Sequence, residues 1–345
     1  MIAHIDMDAF FARCEELRNP RLEEKPVVIC IYTRNETSGA VSTSNYRARE
    51  LGINSGMPIT EAREKADEDT VFLPADHEYY RQKSEEVMSV LRSHSRKIEK
   101  TSIDEAYFRI KGGKKEARKI KARIESKGLS ASIGIAPNKF LAKLASEEEK
   151  PDGLYRVGEG EEKQFLNGKK VEKLHGVGSK TAEKLAEEGI ETVEQLRSAN
   201  NAALADRFGR KNAASLKDKS EGKGSRKLGK DEQKQISRIK TMERNSRDPD
   251  YIRKELQFLA ESLANRVEEK KVAFRGITLI AVDADLQNYT RSKKIDTSDR
   301  PTEALEKSED LLEKLLSDPE EDIRRVGIRI SDLVDTSKQS KLSSF

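Results

Sequence analysis

The sequence predicts a multidomain α+β chain, and three observations carry that prediction. Short apolar runs rich in β-branched residues alternate with helical periodicity up to about residue 157, after which the pattern turns helical until about residue 222. Residues 217–247 hold eleven Lys and Arg against five Asp and Glu, and a second strand-and-helix pattern starts at residue 236. The 345-residue length fits two to three domains, or several small ones.

Composition narrows the class. Hydrophobic residues make up 35% and charged residues 37%, with no Trp, so each core is small and the solvated surface large. The local excess of six basic charges at 217–247 exceeds the +4 net charge of the chain, which concentrates positive charge where Gly, Ser and Lys predict a linker. Cys14 and Cys30 have neither the number nor the spacing for a disulfide framework or a zinc site. The chain opens on "MIAHIDMDAFF" without a basic leader, and runs such as "VVICIY" and "ITLIAV" are too short to span a bilayer. A cytoplasmic protein without membrane contact is expected.

Along the chain, "IAHIDMD" alternates as a strand with His4, Asp6 and Asp8 on one face. "FFARCEELRNP" reads as a short helix stopped before Pro20, and "KPVVICIY" as a buried strand. In "TRNETSGAVSTSNYRARELGI" a turn-rich stretch with Gly39 leads through a short apolar piece into a helix bearing Tyr46, Arg47 and Arg49. "MPITEAREKA" and the amphipathic "EYYRQKSEEVMSVLRSHS" are helices, "SIDEAYFRI" is a strand, and "KKEARKIKARIESKG" is a basic helix. "LSASIGIA" follows as a strand of small residues and "NKFLAKLASEEEK" as a helix ending near Pro151.

Beyond residue 158, Gly176-Val177-Gly178 forms a turn between helical segments, with Leu174, Ala182 and Leu185 at packing positions. This fits either a helix-hairpin-helix, whose backbone amides face a DNA phosphate, or an ordinary αα-hairpin. "LADRFGRKNAASL" reads as a partner hairpin. The last domain is expected as strand 236–243, helix 250–270, strands 273–283 and 288–295, helix 301–317 and strand 323–333. Its strands and their flanks carry Arg238, Lys240, Arg244, Arg247, Lys293, Lys294, Arg324, Arg325 and Arg329, expected to form one positive face or edge against a nucleic-acid backbone.

Asp104 and Glu105 interrupt an otherwise apolar strand. An unpaired buried carboxylate is costly, and in an ideal strand the two would point to opposite faces. Both can serve one site only if the chain bends there. A solvated hairpin tip is the other reading, and Asp6, at the end of another strand, favours a shared site.

The blocks "HIDMDAFFAR", "SGAVSTSNYRAR", "TSIDEAYFRI", "NKFLAKLA" with "KPDG", and the glycine hairpin together resemble the Y-family DNA polymerases of polymerase IV (DinB) type, archaeal-like. The likeness runs in order from Met1 to "RRVGIRISDL" near residue 332. It implies a right-hand arrangement: an α+β palm (1–9 and 76–157), small fingers (10–75), a helical thumb with helix-hairpin-helix (158–222), a basic linker (223–235), an α+β little finger (236–334) and a tail (335–345).

By resemblance, Asp6, Asp104 and Glu105 are catalytic carboxylates that, with the Met7 carbonyl, hold two Mg²⁺ ions, with Mn²⁺ able to substitute. Phe10, Phe11, Thr43, Tyr46, Arg49 and Lys150 match positions that hold the incoming dNTP. Phe11 is the sugar-discriminating aromatic, where many relatives have Tyr. Ser38, Gly39, Ala40 and Ser42 form a low roof over the nascent base pair, which implies low fidelity and lesion bypass, without a proofreading exonuclease. Primer–template DNA would meet Gly176, Gly178, Lys180 and the basic residues of the last domain.

Gln339, Leu342 and Phe345 follow the spacing of a peptide that docks on a sliding clamp. A monomer is expected. Two other readings stay open: a DNA-binding repair scaffold without catalysis, and another two-metal palm enzyme such as a nucleotidyl cyclase. The four histidines are scattered, and His4 reads as a structural neighbour of Asp6.

Overall fold

A computed structural model describes residues 1–32, 39–229, 233–319 and 321–336. Ser38, Gln339, Leu342 and Phe345 lie outside the described residues. The chain divides into two compact units, Met1–Lys230 and Asp231–Phe345.

The first unit begins with β1 (Ile2–Met7), α1 (Phe10–Arg18), β2 (Val27–Tyr32), β3 (Gly39–Ser44), α2 (Tyr46–Glu50), α3 (Ile59–Lys65) and β4 (Val71–Pro74). It continues with α4 (His77–His94), the hairpin β5 (Ile98–Lys100) and β6 (Glu105–Arg109), α5 (Gly113–Glu125), β7 (Ala131–Ala136), α6 (Lys139–Ser146) and β8 (Leu154–Arg156). One sheet runs β5-β6-β1-β7-β8, with β1 antiparallel to both neighbours; a small sheet runs β3-β2-β4.

Strand parity sorts the central sheet into two faces. Ala3, Ile5 and Met7 of β1, with Ala106 and Phe108 of β6, join a core completed by α1, α4 and α5. Each large side chain so buried stabilises by roughly 1.5–3 kcal/mol. The opposite parity places Ile2 and Tyr107 against α6. His4 and Asp6 share that α6 face with Ile2, as does Glu105 with Tyr107. α6 lies close to the sheet because Gly134 of β7 has no side chain: a Cβ there would sit 2.1 Å from the Ala142 carbonyl oxygen.

Beyond β8 come α7 (Glu162–Leu166), a 3₁₀ turn (Val171–Lys173), α8 (Ser179–Glu187), α9 (Val193–Ser198), α10 (Asn201–Phe208) and α11 (Arg210–Ser220). Leu174, Ala182 and Leu185 are buried in their common core, which includes α6 residues. The segment before Gly176 is a single 3₁₀ turn rather than a longer helix.

The second unit is β9 (Gln235–Ser246), α12 (Pro249–Lys270), β10 (Val272–Asp283), β11 (Asn288–Ser298), α13 (Pro301–Glu306), α14 (Glu309–Leu316), β12 (Ile323–Ser331) and β13 (Val334–Asp335). Its sheet runs β11-β10-β12-β9, with α12, α13 and α14 covering one face. The expected helix 301–317 is broken at Lys307-Ser308. Ser308 is fully buried, its hydroxyl donates to the Ala304 carbonyl at 2.8 Å, and its amide turns to Leu305 at 2.9 Å. β3, β4 and β8 of the first unit were not expected; "GAVSTS" has the small polar composition of a turn yet pairs along β2.

Candidate active site

The acids meet where β1 ends. Asp6 stands opposite Glu105 on β6, and the Met7 amide donates to the Asp104 carbonyl at 3.0 Å. A continued ladder would return the Asp104 amide to the Met7 carbonyl. Instead Ser102 Oγ accepts both the Asp104 amide (3.2 Å) and the Glu105 amide (2.9 Å), closing the β5–β6 turn. That turn takes Asp104 out of strand alternation, the bend that two adjacent acids need to serve one site. It also leaves the Met7 carbonyl without its ladder donor.

Lysines hold the two cross-strand acids. Lys150 Nζ is 2.8 Å from Asp6 Oδ2, and Lys143 Nζ is 2.5 Å from Glu105 Oε1. Burial pushes the Asp6 carboxyl up to about 6, opposed by the Lys150 ammonium beside it. The His4 ring edge and the Lys143 ammonium hold Glu105 far below the usual carboxylate range. His4 is fully buried, with Nδ1 2.8 Å from Ser146 Oγ and Nε2 3.8 Å from Glu105 Oε2, and burial lowers its pKa.

Asp104 is turned to Ser102, its Oδ1 2.5 Å from the hydroxyl. Among the described residues no three acid, His or Cys side chains stand together as a metal cage. The backbone thus brings the three expected acids to one sheet end; Asp6 and Glu105 adjoin across the strands, each also holding a lysine, while the Asp104 side chain is turned to Ser102. The donor set still fits a hard divalent cation: carboxylates and a carbonyl at one sheet end, with ammonium groups already at two of the acids.

The other expected residues gather around α1 and α2. α1 starts at Phe10 after a left-handed Ala9 (φ 44°), with no side-chain cap, and its first backbone bond is Arg13 N–H to the Ala9 carbonyl at 2.9 Å. The amides of Phe10, Phe11 and Ala12 precede that bond, the arrangement that receives an anion. The Phe11 ring stacks on Tyr80 (4.3 Å, 17°) and meets His77 edge-on (5.7 Å), while the Tyr80 hydroxyl donates to Glu15 Oε1 at 2.8 Å.

Arg49 lies over the Tyr46 ring at 4.7 Å and donates to the Ser44 carbonyl at 3.1 Å, one residue from Thr43. Asn45 Oδ1 accepts from Ala48 N–H and Val27 N–H, and its Nδ2 donates to Glu16 on α1, which ties α2 to α1. A cleft of about 500 Å³ opens between Asp8, Asn45, Tyr46, Pro151 and Asp152. Gly39, Ala40 and Ser42 lie on β3; Gly39 has φ 141°, and a Cβ there would fall 2.2 Å from the Ile31 carbonyl oxygen.

A second cleft, about 910 Å³, runs from Glu105 past Lys139, Lys143 and His175 to Lys211 and Lys219. Gly176 (φ 87°) and Gly178 form the glycine turn that follows His175, and Lys219 Nζ donates to the His175 carbonyl at 2.6 Å. α8 begins beside exposed Lys180, also without a side-chain cap.

In the second unit, pairing divides the residues expected on one positive face or edge between the two faces of the sheet. Arg325 and Arg329 of β12 share the helix-free face with Lys294 of β11, across from Thr241 and Ser237 of β9. Arg238, Lys240 and Lys293 have the opposite parity; Lys240 is tied to Glu255 at 2.7 Å and Lys293 to Asp310 at 2.9 Å. Arg244 lies over the Tyr251 ring, and Arg247 follows the end of β9.

Comparison with known proteins decides the class. The impB/mucB/samB family model matches residues 5–147, the model of that family's C-terminal domain residues 233–343, and a SAM-like helix-hairpin-helix tandem residues 169–220. DNA polymerase IV of Nitrosopumilus maritimus is 34% identical over 360 residues, covering 100% of this chain and 99% of that protein. The chain belongs to the polymerase IV group of the Y-family DNA polymerases.

DNA polymerase IV 1 of Methanosarcina mazei is 36% identical over 362 residues, covering 100% of this chain and 99% of its own. A Y-family chimera of Dbh and Dpo4 matches with a TM-score of 0.88 at 34% identity, covering 97% and 99% of the two chains. An insertion ternary complex of Dbh DNA polymerase matches with 0.68, also at 34% identity and the same coverage. As a polymerase IV, this chain is a DNA-directed DNA polymerase, a nucleotidyltransferase.

Several residues that hold this candidate site together escaped the sequence reading: Lys143, Ser102, Tyr80 and Asn45. One signal was present. Lys139 and Lys143 repeat at i, i+4 on the otherwise apolar helix α6, which marks a polar function on that face.

Proposed function

We propose that this polymerase IV adds dNTPs to a primer 3′ end with Asp6, Asp104 and Glu105 as its catalytic carboxylates. The observation that carries the reading is the cross-strand pair Asp6–Glu105, each acid already holding an ammonium group, at 2.8 and 2.5 Å. The three carboxylates and the Met7 carbonyl would hold two Mg²⁺ ions, or Mn²⁺ in their place. Bound there, such ions lower the cost of deprotonating the attacking hydroxyl and stabilise charge on the attacking and leaving oxygens.

The chain's own residues bind and orient the nucleotide. Lys150 and Arg49 offset triphosphate charge, the first as a point charge and the second as a planar fork, with Tyr46 and Thr43 beside them. Phe10 and Phe11 donate backbone N–H groups at the uncapped start of α1. The Phe11 ring, backed by Tyr80, lies beneath the sugar and excludes a 2′-hydroxyl. Ser38, Gly39, Ala40 and Ser42 cover the nascent pair with little bulk, so shape is checked weakly, in keeping with low-fidelity lesion bypass.

Palm, fingers, thumb and little finger take the bounds expected from the sequence. In the thumb, Gly176, Gly178 and Lys180 receive DNA phosphates at an uncapped helix start. Arg325 and Arg329 meet DNA phosphates from the helix-free face of the little finger; Arg238, Lys240, Arg244, Arg247 and Lys293 lie nearer its edges, Lys240 with its ammonium held by Glu255. Gln339, Leu342 and Phe345 dock on a sliding clamp. No described helix is long and apolar enough to cross a membrane; the working form is a cytoplasmic monomer.

Metal-dependent primer extension by the parent, Asp104→Ala and Glu105→Ala proteins tests the reading. Both variants are expected to lose extension by at least about a thousandfold while keeping primer–template affinity. Extension within a few fold of the parent would overturn it, as would extension that needs no divalent cation.

A further inference from the structure

Lys150 reaches Asp6 from the turn at residues 150–153, and that turn is gripped from two sides at one residue. Asp8 Oδ2 accepts the Asp152 amide at 3.0 Å, while Asp8 Oδ1 accepts the Ser132 hydroxyl at 2.8 Å. Ser132 Oγ in turn accepts the Gly153 amide at 3.1 Å. From the other side, Lys121 Nζ on α5 donates to the Asp152 carbonyl and to Asp152 Oδ1, both at 2.6 Å, and to the Ala131 carbonyl at 2.7 Å.

Both gripping groups are held in place. Asp8 is 4% exposed, and the Lys121 side chain is 15% exposed. Their bonds are charge-assisted, the strong class, and they converge on a left-handed Asp152 (φ 58°). The turn is also closed on itself: a Cβ at Gly153 would lie 2.5 Å from the Glu149 carbonyl oxygen. Asp6 and Glu105 are held by other groups, the ammonium groups of Lys150 and Lys143 and the His4 ring edge.

We propose that Asp8 and Lys121 are positioning residues that brace the Asp152 turn and so keep Lys150 in place for the incoming triphosphate. The inference rests on the reading of Lys150 as a triphosphate cation. A lysine ammonium ends a flexible four-carbon stem, so its placement depends on how firmly its backbone is held. Lys150 must exchange Asp6 for phosphate oxygens without leaving the site, and the brace confines that exchange to side-chain rotation. Asp8, in the same "DMD" segment as Asp6, thereby acts on the nucleotide side of the site.

The test is the dissociation constant of a dNTP for the enzyme on a dideoxy-terminated primer–template in Ca²⁺, where no turnover occurs, with KM and kcat for single insertions alongside. Lys121→Met, Asp8→Asn and Lys150→Ala are measured singly, and the first two again in the Lys150→Ala background. Thermal melting confirms folding, and Lys121→Arg, which keeps the charge, serves as the second variant at that position. Each brace variant is expected to weaken dNTP binding about tenfold with primer–template affinity unchanged, to raise KM more than it lowers kcat, and to add nothing once Lys150 is gone. Lys121→Arg recovers most of the loss. Equal losses with and without Lys150, or single-variant affinities within about twofold of the parent, overturn the brace. If Lys150→Ala itself leaves dNTP affinity unchanged, the triphosphate reading of Lys150 falls, and the brace with it.

Discussion

Lys150 Nζ lies 2.8 Å from Asp6 Oδ2, so a lysine from the turn after α6 neutralises an acid on the central strand. Even so, burial raises the Asp6 carboxyl from 3.8 to about 6. A raised acid binds its proton more tightly in the folded state; its contribution is fully present below 3.8 and is lost as pH rises through about 6. In EDTA at pH 8, Asp6→Asn is therefore expected to be more stable than the parent by about 1–2 kcal/mol. The gap should close toward pH 4, which thermal melting across pH reads directly.

The Lys143–Glu105 pair has the opposite sign. Glu105 is held low by His4 and Lys143, so its contribution is present above the ordinary 4.5 and is lost as pH falls through its depressed value. Both side chains are about a quarter exposed, 24% and 22%, so solvent screens the pair. Lys143→Met should lower metal-free stability at neutral pH by about 1 kcal/mol. Free-Mn²⁺ titration by electron paramagnetic resonance should show tighter binding, because a competing ammonium is gone.

Phe11 owes its position to Tyr80, stacked on it at 4.3 Å and anchored to Glu15. Phe11→Ala is expected to raise ribonucleotide insertion relative to deoxyribonucleotide by about a hundredfold or more, a difference steric exclusion can supply. The ratio of kcat/KM values for rNTP and dNTP measures it, and an unchanged ratio would mean that Phe11 does not exclude the 2′-hydroxyl.

Strand parity predicts unequal roles for the basic residues of the second unit. Arg325→Ala and Arg329→Ala should each lower the slope of log affinity against log salt by about 0.9 on duplex DNA. Lys240→Ala, whose ammonium is held by Glu255, should leave the slope nearly unchanged. Fluorescence anisotropy at several salt concentrations separates the two classes.

Local periodicity made most elements legible. β9 to β12 and α12 fall within a few residues of their expected bounds, because β-branched runs and a long amphipathic helix carry their own period. β3 was hidden because its small polar residues resemble a turn, and its strand character comes from pairing with β2. The acids were legible as chemistry at strand ends. Their partners were not: Lys143 is 38 residues from Glu105 and Lys121 is 31 from Asp152, and only the packing of α6 and α5 on the sheet brings them together. The division of the basic residues between the two sheet faces was hidden for a related reason, since neighbouring residues on a strand point to opposite sides.

The claim at the centre is that Asp104 leaves Ser102 and joins Asp6 and Glu105 around two divalent ions. Anomalous scattering from Mn²⁺ in crystals of the enzyme with a dideoxy-terminated primer–template and a dNTP measures this directly. The expected map has two peaks about 4 Å apart, with Asp6, Asp104, Glu105 and the Met7 carbonyl as protein ligands and with Lys150 and Lys143 released from the acids. A map with no Mn²⁺ at these acids, or with Asp104 still on Ser102, would contradict it.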